Sequence, residues 1–428
     1  ELVYAEALSE QTKKARRDDL SRGSVELHNP SDIIRPGGGE EMWEPIWIRC
    51  ARFVRVRVTT ADAPLVIHDL RFRFASYPFR QQARFESSDA ELAAIWDVSW
   101  HTALCCAHEH YEDCPFYEQL QYVSDTRLQM LISYGVAGDD SLAREALRAF
   151  HRSQLHDGMI QSRYPSNLQQ VINTFGLFYV MAIEDHWQYQ GDAAFIRPLV
   201  HSADAVLRWF EPHLGADGLL GRLPGWTFVD WNAAFPNGCP PDGLTGPLAA
   251  VSLMYVVALE AAARLHDAVG SAVQAAAWRQ LAETVRQSVR RTTWNEHEGL
   301  YADAPGSRHL SQHTNVWAIL AGAATDEQSQ RIMKRLLDDP TLVRSSYIHD
   351  YYLFQALLKV GATDRLGDVL ARWREIVRFG FSTTPEHDEP VRSDCHAWSA
   401  WPMFEMLRVI LGVRPAAPAY ASVLIAPT

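Results

Sequence analysis

From Ser88 to about residue 411, apolar residues recur at the spacing of one helix face. The pattern predicts twelve helices, near 88–111, 118–136, 141–155, 168–190, 193–212, 246–268, 271–293, 309–323, 326–337, 347–360, 363–378 and 394–411. Ser88-Asp89-Ala90-Glu91 reads as a capping box opening the first, and Leu92, Ile95, Trp96, Ala103, Leu104 and Ala107 then keep one face. The loops between these helices alternate in length. After helices two, four, six, eight and ten they are short turns: AGDD, QGD, VGS, ATDE and VGATD. After the odd-numbered helices they are mostly long, and they hold CPF (114–116), SRYPS (162–166), LPGWTFVDWNAAFPNGCPPDG (223–243) and FSTTPEHDEPVRSD (381–394). Six hairpins side by side in a ring would bring all the long loops to one end, although a solenoid of helix pairs would give the same alternation. Function concentrates in long loops on rigid scaffolds. The expected fold is therefore mainly α: an (α/α)6 barrel of six helical hairpins with one elaborate mouth.

The segment ahead of the helices has a different period. Residues 47–80 are rich in Val, Ile, Phe and Arg in near-alternation, as in FVRVRV, which is the pattern of half-buried strands. Asp62-Ala63-Pro64 punctuates it as a turn. Residues 1–83 thus read as part of a β-sandwich, 84–412 as the barrel, and 413–428 as the start of a C-terminal β segment. The chain opens on Glu1 rather than Met, inside an apparent strand, so its true N-terminus is expected to be missing.

The 428 residues are 47% hydrophobic, enough for a large core and more than one domain. Net charge is −12 and basic residues form no run, so nucleic acid is not an expected partner. No apolar run was expected to span a membrane, and no signal peptide is visible. That leaves localisation open with a cytoplasmic site favoured, and says nothing of oligomeric state. The six cysteines form no CxxC pair and are expected to be buried thiols. Fourteen Trp and fifteen Tyr are core material, or the walls of a cleft, since flat aromatic faces suit sugar rings.

The mouth loops contain carboxylates at two places far apart in sequence. One set is Asp113, Glu118 and Asp125, set among aromatics in YEDCPFYEQLQYVSD (111–125). The other is Glu386, with Asp388, Glu389 and Asp394 nearby. In a closed ring the first and last mouth loops would bring Glu118 and Glu386 to one pocket. Such a pair suits glycosidic cleavage, in which one carboxyl protonates the leaving oxygen and the other activates water or attacks. The plainer alternatives are a first-turn acid for Glu118, a turn-former for Asp113 and exposed loop acids elsewhere. If Glu118 opens a helix, Asp125 lies two turns further along the same face. Arg163 with Tyr164, and Trp226, Phe228, Asp230 and Trp231, read as a polar-aromatic sugar subsite or as loop packing. His108, Glu109, His110 and His396 show no paired metal-ligand spacing, so neither a metal nor another cofactor is expected.

These residues carry a resemblance. Asp113-Cys114-Pro115-Phe116-Tyr117-Glu118-Gln119, followed by Val123-Ser124-Asp125-Thr126-Arg127, is similar to the D-C-P-x-Y-E-Q and G-D-x-R motifs of the family 78 α-L-rhamnosidases. Arg392-Ser393-Asp394-Cys395-His396-Ala397-Trp398-Ser399-Ala400 resembles that family's R-S-D-C-H-A-W-S-A. YAEAL (4–8) and SYPF (76–79) match its preceding β-domain. The resemblance implies an (α/α)6 barrel that hydrolyses terminal α-L-rhamnosides with inversion. It implies Glu118 as general acid and Glu386 as general base, with Asp113 and Asp125 on rhamnose hydroxyls. Tyr117, Arg127, Arg163, Tyr164, Trp226, Asp230, Trp231, His396 and Trp398 would complete the sugar site. Ser124 stands where the family usually has Gly, and Pro385 where it commonly has Trp. An α/α-barrel glycosidase for another sugar and a non-catalytic sugar-binding protein are the alternatives.

Overall fold

The computed structural model describes residues 1–10, 13–26 and 28–428. Twelve α-helices follow a short β segment: α1 (Ala90–Cys105), α2 (Val123–Ile132), α3 (Ser141–Arg152), α4 (Asn173–Gln190), α5 (Ala193–Phe210), α6 (Ala249–Val269), α7 (Ala272–Thr293), α8 (Gln312–Leu320), α9 (Asp326–Asp338), α10 (Tyr347–Val360), α11 (Leu366–Arg378) and α12 (Pro402–Glu405). Wide π-type turns extend α2 over Ser133–Ala137 and α12 over Met406–Ile410.

The even-numbered helices form the inner ring. Contacts run α2 to α4, α4 to α6, α6 to α8 and α8 to α10, and α2 touches α12. Consistent with enclosure on all sides, α4 is buried continuously from Asn173 to Ile183. The odd-numbered helices are outer and two-faced. In α3, Leu142, Ala143, Ala146, Leu147, Ala149 and Phe150 are buried while Glu145 and Arg148 are exposed. The ring is closed, because α1 packs on both α11 and α12. That excludes the open solenoid. Within the last hairpin, Trp373 of α11 and Trp401 just ahead of α12 meet edge to face with ring centres 4.8 Å apart, and their indole N–H groups donate to Ser399 O and Tyr347 O. Fully buried tryptophans of this kind are each worth on the order of 3–5 kcal/mol when truncated.

Short turns shut the far end. Gly191 and Gly361 end α4 and α10 in the left-handed region, at φ 68° and 74°, where a Cβ would be strained. After Gly191 the next helix starts at once, and Asp192 caps α5 by accepting from Phe195 N. Helix α1 begins a residue later than the sequence indicates, with Asp89 rather than Ser88 as the cap. Helix α6 is long and apolar enough to cross a membrane by composition, contrary to expectation, but its place is the inner ring and it is largely buried.

The N-terminal segment contains one antiparallel sheet, in the order β4 (Ser31–Asp32), β1 (Leu2–Ala5), β5 (Phe53–Val56), and a small hairpin of β2 (Ser9–Glu10) and β3 (Lys13–Lys14). The alternating stretch 47–80 contributes only β5; beyond it Ile67, Phe72 and Phe74 are exposed and no strand forms among the described residues. A second small hairpin, β6 (Trp294–Asn295) with β7 (Leu300–Tyr301), decorates the loop before α8. The tail pairs β8 (Val413–Ala417) with β9 (Ser422–Ile425).

Candidate active site

The mouth loops are stitched into a ring. Val123 N donates to Ser162 O, Asn173 N to Trp226 O, Asn232 Nδ2 to Arg344 O, and Ala397 N to Asp113 O. The last of these joins the first mouth loop to the final one. Inside the ring is a cavity of about 760 Å³. Asp113, Glu118, Tyr122, Asp125, Glu386, Arg392 and His396 line it with Trp226, Phe228, Trp231 and Trp398. Tyr122, Ile172 and Ser346 on its wall each immediately precede an inner helix, so the positive ends of α2, α4 and α10 reach an acidic pocket.

Glu118 is not in a helix. Gln119 sits at φ 54° in the left-handed region, which no helix passes through, and α2 starts only at Val123. Residues 115–118 form a turn instead, closed by Gln119 N donating to Cys114 O and by Leu120 N donating to Asp113 Oδ1. Glu118 and Asp125 therefore do not share a helix face. They meet because the turn folds back over the start of α2.

The Glu118 carboxylate accepts from Tyr122 OH at 2.7 Å, and that hydroxyl accepts from Arg163 Nη1 at 3.0 Å. Across the mouth, Glu386 is buried, its backbone fixed by Glu386 N donating to Ser393 O and by Trp398 Nε1 donating to Glu386 O. Arg392 links the two glutamates: Nη2 lies 2.8 Å from Glu118 Oε1 and 3.0 Å from Glu386 Oε1.

Asp113 and Asp125 form the floor. Burial, reinforced by the charge of Glu118, pushes Asp113 up to about 7. Burial, and then the Asp113 charge, hold Asp125 well above the usual carboxyl range. Burial, with repulsion from Arg392, holds the His396 imidazole well below its ordinary value, so the ring is neutral. His396 Nδ1 lies 3.7 Å from Asp125 Oδ1, and neither atom has a hydrogen-bond partner among the described residues. Buried polar atoms are normally paired, so this floor is built to accept polar groups of a bound molecule.

The raised Asp113 has a testable consequence. Its folded pKa lies above its unfolded 3.8, so the folded state binds the proton more tightly. Stability from this group is full below the unfolded value and is lost as pH rises toward about 7. Asp113→Asn is expected to flatten that slope, so its melting temperature should gain on the wild type from pH ~5 to ~8. Parallel melting curves across that range would remove the argument.

Other expected site residues lie elsewhere. Asp230 is fully buried and does not line the cavity. Burial pushes its carboxyl up, but His349, His313 and Ser346 outweigh this and hold it below its usual range. It accepts from His313 Nε2 and Ser346 N, both at 2.7 Å, and so ties the Trp231 loop to α8 and α10. Arg127 points into the barrel wall, paired with Asp185 at 2.6 Å and stacked over Tyr352. Its position two residues after Asp125 turns it to a different face of α2. Tyr117 is half-exposed on the rim, Arg163 acts through Tyr122, and Tyr164 holds the neighbouring loop by donating its N–H to Gln121 O and accepting from Gln121 Nε2 at its carbonyl. Pro385 lies buried behind the cavity rather than on its wall.

Two residue groups bring potential metal ligands together, Asp113/Cys114/His396 and Asp230/His313/His349. Neither suits a cation. The Cys114 thiol donates to Asp113, and burial keeps it a thiol. Trp317 Nε1 donates to His349 Nε2, which leaves the neutral ring's proton on Nδ1, the atom facing Asp230. Both are hydrogen-bond networks.

Sequence reasoning passed over Gln170, Asn232, Ser345, Ser346 and Arg372 as cavity residues, and gave no role to Arg392. It also passed over the buttress beneath Arg392. Lys14 Nζ reaches Asp394 Oδ1 and Arg392 O, Arg17 grips Asp394 with two nitrogens, and Glu6 accepts from Asp394 N. The N-terminal segment thus holds the loop that presents Glu386.

A closed ring of six helical hairpins, with opposed glutamates over an acidic, aromatic-walled mouth, defines a six-hairpin glycosidase fold. The chain belongs to the family described as the bacterial alpha-L-rhamnosidase 6 hairpin glycosidase domain, which matches residues 80–407. It is similar to the family 78 rhamnosidase of Bacillus sp. GL1, with 28% identity over 82% of this chain and 38% of that one, at TM-score 0.76. The rhamnosidase of Klebsiella oxytoca, solved with rhamnose bound, is 24% identical over 75% of this chain and 64% of that one, at TM-score 0.68. The α-L-rhamnosidase of Aspergillus terreus shares 18% identity over 100% of this chain and 51% of that one, at TM-score 0.78. The chain therefore spans less than two thirds of each of these three proteins. No curated protein matches it.

Proposed function

We propose that the protein is an inverting glycoside hydrolase that removes terminal α-L-rhamnose from glycosides or oligosaccharides. The observation that carries this reading is the meeting of Glu118 and Glu386, from the first and last mouth loops, at one guanidinium in one cavity. Glu118 protonates the leaving oxygen, and Glu386 takes a proton from the water that attacks the anomeric carbon on the opposite face. Tyr122 and Arg163 orient Glu118. Asp113, Asp125 and His396 hold the sugar hydroxyls, and Trp226, Trp231 and Trp398 pack against the ring. The family membership of residues 80–407 and the rhamnosidase neighbours support the choice of rhamnose.

The test is release of nitrophenol from 4-nitrophenyl α-L-rhamnopyranoside beside a panel of other aryl glycosides, with NMR identifying the first-formed anomer. Cleavage of the rhamnoside with β-L-rhamnose formed first is expected. Cleavage of another glycoside alone would reassign the sugar, and α-L-rhamnose formed first would make the mechanism retaining.

A further inference from the structure

The reaction proposed above and the geometry of Arg392 require the same place. A glycosidic oxygen protonated by Glu118 must lie within hydrogen-bond reach of it, and the attacking water must lie as near to Glu386. The anomeric carbon sits between them. Arg392 Nη2 already stands there, 2.8 Å from Glu118 Oε1 and 3.0 Å from Glu386 Oε1, with Nε 2.8 Å from Glu386 Oε2. Two oxygens that share one nitrogen are separated by no more than the sum of two hydrogen bonds. An inverting pair needs about 6.5–9.5 Å to admit sugar and water.

The backbone of Arg392 is pinned, but its side chain is less so. Arg392 O accepts from Lys14 Nζ at 2.6 Å, and Asp394 just beyond is gripped by Arg17. The Arg392 side chain is 44% exposed, and its guanidinium lies 5.4 Å from the centre of the Tyr117 ring on the rim. An aromatic face that already neighbours the cation offers it a second resting place.

We propose that Arg392 is a displaceable internal occupant of the seat between Glu118 and Glu386, and that productive sugar binding drives it outward toward Tyr117. This rests on the assignment of those two glutamates as acid and base. The seat itself takes a planar cation, the shape and charge of a guanidinium held between two carboxylates. Binding of a neutral glycoside then carries the cost of breaking an ion pair. An uncharged substrate has no reason of its own to bind better in salt, whereas an ion pair at a partly exposed mouth is screened by it.

Two measurements test the proposal. The first is calorimetric titration of methylguanidinium into the wild type and Arg392→Ala. The variant is expected to bind one equivalent and the wild type none, and adding Glu118→Gln to the variant should weaken binding at least ~10-fold. The second is KM for an aryl rhamnoside at low and high potassium chloride. Wild-type KM is expected to fall with salt, while Arg392→Ala should show a lower, salt-independent KM, by about 10-fold if the seat is nine-tenths occupied. Arg392→Gln, which keeps the chain's length without its charge, should follow Arg392→Ala in both. No methylguanidinium binding by the variants, a wild-type KM unmoved by salt, or weaker sugar binding in the variants would overturn the proposal. Wild-type protein that cleaves no rhamnoside would sink the sugar assignment instead, with the titration still deciding the seat.

Discussion

Glu118→Gln is expected to slow hydrolysis of a rhamnoside with a poor leaving group by about 10²–10⁴-fold, the usual contribution of a positioned general acid, while L-rhamnose still binds. The substitution is close to isosteric. It keeps an acceptor oxygen for the Tyr122 hydroxyl and leaves the Cys114–Leu120 turn, which is closed by backbone groups and Asp113, as it is. The discriminating comparison uses leaving groups. A 2,4-dinitrophenolate departs without a proton, so the dinitrophenyl rhamnoside should lose far less than the alkyl rhamnoside. Equal losses on the two substrates would show that Glu118 positions the sugar and does not supply the proton. No loss on either would remove it from the reaction.

Much of the architecture is legible in sequence because it depends on spacing. Helical periodicity fixed twelve helices, and the alternation of short and long loops fixed which end is the mouth. Whether the ring closes is not a matter of spacing. It is decided by α1 packing on α11 and α12 and by Ala397 N reaching Asp113 O, contacts between the two ends of the barrel sequence. The same limit governs the site. Asp113, Glu118, Asp125, Glu386 and His396 converge as the motifs imply. Asp230 and Arg127 sit in equally suggestive motifs but spend their charge inside the scaffold, on His313 and Asp185. A polar residue that organises a pocket from behind and one that faces into it can look alike in sequence, since both are charged and flanked by aromatics. The alternation in 47–80 misleads for a related reason. Period two marks a strand only where a partner edge is available, and among the described residues β1 pairs only with β5 and β4.

Glu386→Gln is expected to cost a similar factor, about 10²–10⁴-fold, and to differ from Glu118→Gln in its rescue. Azide needs no base to remove a proton. In Glu386→Gln it should enter from the face the water uses and restore turnover, yielding a rhamnosyl azide of inverted configuration. In Glu118→Gln, where the missing proton belongs to the leaving group, azide should not help an alkyl rhamnoside. The structure gives a reason to expect the base at Glu386 rather than at its neighbours. The Asp388 side chain is 66% exposed and engaged by Arg372 at 2.6 Å, and Glu389 is paired with the buried Arg17 at 2.7 Å. Glu386 alone of the three is buried, faces Glu118, and has both its N–H and its C=O bonded to the scaffold. Full activity in Glu386→Gln would shift the role to Asp388, the other acid of this loop on the cavity wall. A retained-configuration azide product would instead mean that a carboxylate attacks the sugar directly.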